Sequence, residues 1–159
     1  MKTISTFFLL ITLSLLHYDD RIVGSYKNYF GGELKLYADN SFKFNWQFDM
    51  ASNWTSGKWK CTNDTIYFQI IPVYDTLRLK NKKDTLVLSF DDKPEMITEN
   101  NYSGINFIFP NHQNSERLSK KLFFREGKLI EIKKSGKLDL SKKKQFWSDE
   151  KYYTWYFKE

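Results

Sequence analysis

Cysteine, histidine and proline are scarce in this 159-residue chain, with one, two and three copies. A lone Cys61 closes no internal disulfide, and two histidines with one thiol are too few for a His/Cys zinc cluster. The same shortage removes the raw material of a Ser-His-Asp or Cys-His nucleophilic centre. Seven glycines and three prolines rule out a collagen-like repeat and a low-complexity tail. The length suits one domain and is short for two with separate cores.

Aromatic residues are plentiful. Fourteen Phe, ten Tyr and five Trp make up 18% of the chain. Rings and β-branched residues suit pleated, half-buried surfaces, so the composition points to an all-β protein. The net charge of +6 comes mostly from lysines spread over turns and polar strand faces. That spread fits a solvated surface, and no nucleic-acid partner is expected.

Met1-Lys2 followed by the apolar stretch Ile4 to Leu16 reads as a secretory signal over residues 1–17. A run of about a dozen residues falls short of the roughly 20 a membrane-spanning helix requires. The expected product is an exported, periplasmic or extracellular, monomeric domain over residues 18–159. Cys61 alternates with Trp59, which predicts that the thiol is buried.

The rest reads as short strands joined by turns. Phe42, Phe44, Trp46 and Phe48 alternate with Lys43, Asn45 and Gln47, the signature of a half-buried antiparallel strand over Ser41–Phe48. Further strands are predicted over Ile22–Phe30, Glu33–Tyr37, Gly57–Cys61, Thr65–Ile71, Thr76–Lys80, Thr85–Phe90, Ile105–Phe109, Lys121–Arg125, Lys128–Lys134 and Lys137–Leu140. Residues 91–104 read as a loop, and His112–Lys120 as a polar connector with room for a short helix. Asp64-Thr65, Asp75-Thr76 and Asp84-Thr85 repeat at intervals of 11 and 9, the pitch of successive hairpins, and read as turn closures rather than calcium ligands. The fold expected is an antiparallel up-and-down meander of eight to ten strands, forming a barrel or a strongly curled sheet.

Gly24-Ser25-Tyr26, Leu34-x-Leu36, Asp39-x-x-Phe42, Ser56-Gly57-Lys58-Trp59 and Asp64-Thr65-Ile66-x-Phe68 together resemble the small exported lipocalin-like β-barrel proteins of bacteria, chiefly uncharacterised ones of Bacteroidota. The likeness spans residues 22–90, and the Gly-x-Trp of lipocalins stands here as Gly24-x-Tyr26. It implies an up-and-down barrel with one open end; it transfers no ligand.

No paired carboxylates with a recognisable separation stand out, and His112 has no Cys, Asp or second His nearby, so no catalytic residue, metal ligand or cofactor is expected. The rings are the functional lead. Trp46, Phe48, Trp59, Phe68 and Phe107 read as inward by parity, while Trp54 reads as a turn residue at a rim. These six are the candidate site for a small hydrophobic or aromatic molecule, set against the plainer account of a filled core. A rival of another class is a cell-envelope or protein-interaction domain with a dry barrel. It would use Lys142, Lys143 and Lys144 and a C-terminal strand over Tyr152–Phe157 to meet an anionic partner. That strand is expected to turn Tyr153, Trp155 and Phe157 inward, and the plainer account of the three lysines is a solvated turn.

Overall fold

The computed structural model describes residues 20–108, 112–145 and 148–159; the expected signal segment and Phe146-Trp147 lie outside them. Along the chain come β1 (Gly24–Lys27), β2 (Gly32–Leu36), β3 (Ser41–Phe48), β4 (Ala51–Thr62) and β5 (Thr65–Ile70), each antiparallel to the one before. An excursion follows with β6 (Tyr74–Arg78), β7 (Thr85–Leu88), β8 (Met96–Thr98) and α1 (Glu99–Ile108). The chain then returns as β9 (Lys121–Arg125), beside β5, and β10 (Lys128–Glu131). A second excursion carries β11 (Lys142–Lys144) and β12 (Lys151–Tyr153) before β13 (Tyr156–Lys158) closes the barrel between β10 and β1. The barrel has eight strands in chain order, so the up-and-down meander holds with two excursions inserted.

Alternation dictates the inner wall. Paired positions share a face, so the ladders Leu34–Phe44–Thr55 and Leu36–Phe42–Gly57 line the interior, joined by Tyr26, Ile66, Leu122, Leu129 and Tyr156. Lys43 and Lys35 oppose each other on the outer face, as the alternation predicts. Turn chemistry sets the register. Asp39 accepts the Ser41 amide at 2.9 Å beside Asn40 at φ 61°, and Asn63 and Asp64 are left-handed at φ 50° and 56° between β4 and β5. This end is closed: Ile22 fills it, and Tyr26 donates its hydroxyl to the Ile22 carbonyl. The opposite end, at turns 29–31 and 49–50, is the mouth.

Several local expectations are corrected. The segments read as barrel strands over Thr76–Lys80 and Thr85–Phe90 contribute β6 and β7 to a separate sheet ordered β7-β6-β8, whose β6 and β8 are parallel. Asp75 is not a turn residue. It is 2% exposed within β6, and its carboxylate accepts the Glu95 amide at 2.9 Å and the Phe90 amide at 3.4 Å. Residues 99–108 form α1 where the end of a loop and a strand from Ile105 were expected. Lys137–Leu140 makes only an isolated bridge, Ile132 to Leu138. Lys142–Lys144 is a strand rather than a turn, paired with β12. The C-terminal strand is interrupted at Thr154 and Trp155, and its parity is the reverse of that expected. Tyr156 is buried in the core, while Trp155 stacks with Tyr153 at 4.0 Å and Phe157 meets Tyr29 edge-on at 5.9 Å on the other side.

Candidate ligand site at the barrel mouth

Trp46 is the third inward ring of β3, one step beyond Phe44 toward the mouth. Its cross-strand neighbours are Gly32, which carries no side chain, and Asn53, so the indole has room to lie across the opening. Its Nε1 donates to the Phe30 carbonyl at 2.8 Å, fixing the ring plane. The connector leading into β9 then folds over this end. Leu118 joins the core, and the Arg117 guanidinium sits 4.0 Å over the Trp46 ring. Ser119 donates its hydroxyl to Glu131 at 2.6 Å.

Two clefts meet here. An inner one of about 280 Å³ is lined by Asn28, Glu131, Lys143, Thr154 and Tyr156, and an outer one of about 600 Å³ by Tyr29, Phe48, Asp49, Lys144 and Gln145. Phe30, Trp46 and Arg117 line both. The second excursion supplies the lysines. Asp139 anchors it by accepting the Ser141 hydroxyl at 2.6 Å and amide at 3.0 Å, while its own carbonyl takes the Trp155 Nε1 at 2.8 Å. Gln145 closes the rim by donating to the Tyr29 carbonyl at 2.9 Å.

The electrostatics favour an anion at the rim. Among the described residues Arg117 forms no ion pair, and a guanidinium packed on a ring keeps in-plane donors for a carboxylate or phosphate. Lys144 is 2.5 Å from Asp149, but that carboxylate is fully solvated, so the pair holds the lysine weakly. Deeper in, burial raises the Tyr156 pKa and Glu131 adds to the rise, so the phenol stays protonated. Thr154 Oγ1, on the wall of the inner cleft, is buried without a hydrogen-bond partner. The mouth thus combines ring faces, a cation without an ion pair among the described residues and an unmet hydroxyl, the means of holding a molecule by stacking, charge and hydrogen bonds.

Of the six ring residues read from the sequence, the fold brings two together here, Trp46 and Phe48, their rings 6.4 Å apart and 22° from parallel. Trp59 is buried toward the closed end, where Nε1 donates to the Tyr37 carbonyl at 3.2 Å. Phe68 packs edge-on to Phe42 at 4.9 Å in the core. Trp54 is no rim residue. It pairs with Asn45 on the outer face of β4 and is covered by the first excursion, donating to the Phe90 carbonyl at 2.8 Å. Phe107 lies on α1, outside the barrel. Sequence reasoning missed Arg117 and Glu131. Glu131 carries a legible signal, a carboxylate on the same parity as inward Leu129; Arg117, in an aperiodic connector, carries none. No protein-family model, curated protein or solved structure matches this chain, so the barrel and its mouth carry the functional reading.

Proposed function

We propose that this is an exported lipocalin-like binding domain that holds a small molecule with an aromatic or apolar body in the barrel mouth, with an anionic group turned toward Arg117. One observation carries the reading: Trp46, stacked by Arg117 at 4.0 Å, opens onto a cleft of about 600 Å³ instead of being sealed in the core like Phe44. That volume lies within the usual range of small-molecule sites. The test is native mass spectrometry of protein purified from its own host, followed by calorimetry with naphthalene-2-carboxylate and naphthalene-2-carboxamide. A co-purified small molecule, and tighter binding of the carboxylate that Arg117→Gln removes, support the reading. Protein that is empty from its host and binds neither compound overturns it.

A second reading rests on the C-terminal surface. Tyr29 stacks on Tyr152 at 4.4 Å, Lys142 lies 4.8 Å over the Tyr153 ring, and Lys128 lies 5.9 Å over Trp155. Lys128 and the exposed Lys142 thus give these rings a cationic face suited to an anionic envelope component, while Lys143 and Lys144 line the mouth clefts. Lys128→Glu with Lys142→Glu leaves the mouth clefts untouched. It releases the protein from envelope fractions under this reading and changes nothing under the first.

A further inference from the structure

The side sheet has two unlike faces. Asp75, Leu77 and Ile97 point to one side and are buried. On the other, Tyr74 stands opposite Leu88, and Thr76 stands opposite both Leu86 and Met96. These four apolar side chains are 46%, 39%, 65% and 59% exposed for Tyr74, Leu88, Leu86 and Met96. Single exposed apolar residues are ordinary, but a contiguous sheet face of them costs free energy in water and marks a contact surface. The face ends in cations. Arg78 follows Tyr74 and Thr76 on the same side of β6, and Lys80, Lys82 and Lys83 follow in the turn to β7, all four exposed. None of the four forms an ion pair among the described residues.

We propose that this face docks on an anionic lipid bilayer, with Leu86, Leu88, Met96 and Tyr74 entering the interfacial layer and the hairpin cations meeting lipid phosphates. The charge decides the occupant. A second copy of the apolar face gains nothing from four unpaired cations at its end, whereas a layer of anionic headgroups pairs with them while the acyl boundary takes the rings and aliphatic chains. The surface is separate from the mouth and does not depend on what binds there.

The experiment is co-sedimentation of the protein, as its host makes it, with phosphatidylglycerol-containing vesicles and with pure phosphatidylcholine vesicles, joined to amide hydrogen exchange. The expected result is pelleting with the anionic vesicles, weakened by salt, with slowed exchange across residues 74–98. Leu86→Ser with Met96→Ser touches only exposed side chains, so the thermal transition is unchanged while that slowing is lost. Lys82→Glu with Lys83→Glu weakens binding by about tenfold or more. No association with anionic vesicles overturns the proposal, as does association that leaves exchange over 74–98 unchanged. A dimer that the serine variant disperses, with no vesicle binding, assigns the face to self-association instead.

Discussion

At the scale of single residues, position along β3 separates packing from exposure. Phe44 has no exposed surface, and Phe44→Ala is expected to cost about 3 to 5 kcal/mol, since a cavity adds to the lost transfer energy. Trp46 is partly buried against the core and bonded to the Phe30 carbonyl, so Trp46→Ala loses part of that packing and the bond and costs less, about 1 to 3 kcal/mol, while binding at the mouth collapses. Chemical denaturation of both variants checks the contrast; equal costs would show that the mouth is packed like the core. Parity was legible in the sequence for both rings, but depth along the barrel was not, because alternation says which side a residue faces and nothing about which end it occupies. Asp139 allows a pH test. The Ser141 hydroxyl and amide, with Lys133, lower its pKa from 3.8 to about 2. The depressed value means that its stabilising contribution is complete above about pH 3.8 and lost as pH falls through about 2. In Asp139→Asn the loss of stability over that window shrinks, measurable by thermal melts at stepped pH.

At the scale of elements, β4 shows both what patterning reveals and what it misses. Ser52, Asn53 and Ser56 are poor strand formers, so local preference alone starts this strand at Gly57. The structure extends it to twelve residues from Ala51, since pairing with β3 over Ser41–Lys58 outweighs local preference. Gly57 earns its place by close approach: a Cβ there would stand 2.0 Å from the Gln69 carbonyl oxygen of β5. Gly57→Ala is therefore expected to cost about 1 to 3 kcal/mol and to speed amide exchange along β5. Exchange and stability like those of the unsubstituted protein would mean that the two strands part without strain. The C-terminal strand failed for a different reason. Tyr152 to Phe157 is aromatic on both parities, so hydrophobicity cannot choose a face, and the interruption at Thr154 and Trp155 separates β12 from a β13 that turns Tyr156 inward. For α1 the helix signal is equally thin, with Asn and Gly among its ten residues and an N-terminal hydrogen bond from the Asn101 amide to Thr98 Oγ1 at 3.5 Å.

At the scale of the molecule, the barrel was legible and the excursions were not. Neighbouring barrel strands in the first half are joined by short turns whose Asp, Asn and Gly residues announce them, whereas the side sheet depends on partners far apart in sequence. Trp54 reaches the Phe90 carbonyl across 36 residues, Lys43 reaches Asp92 at 2.7 Å across 49, and Gln113 holds both the Ile71 carbonyl at 2.9 Å and the Val73 amide at 2.8 Å. No periodicity encodes such contacts. They imply that the side sheet is a unit docked on the outer face of β3 and β4, fastened by the buried Trp54 indole, by the Asn114 amide donating to the Trp54 carbonyl at 2.9 Å and by a solvated ion pair that adds little, while Gln113 ties the two ends of the excursion together. Removing the indole should then undock the unit without opening the barrel. Trp54→Ala is expected to accelerate amide exchange across residues 74–98 while the β1–β2 ladder, neither strand of which borders β4, keeps its protection. Trp54→Phe retains most of the packed surface and drops only the bond to the Phe90 carbonyl, so it costs about 1 kcal/mol and leaves exchange over 74–98 close to the unsubstituted protein. If instead Trp54→Ala lowers protection in both regions equally, the side sheet and barrel unfold as one cooperative body, and the excursion is part of the core rather than a unit fastened to it.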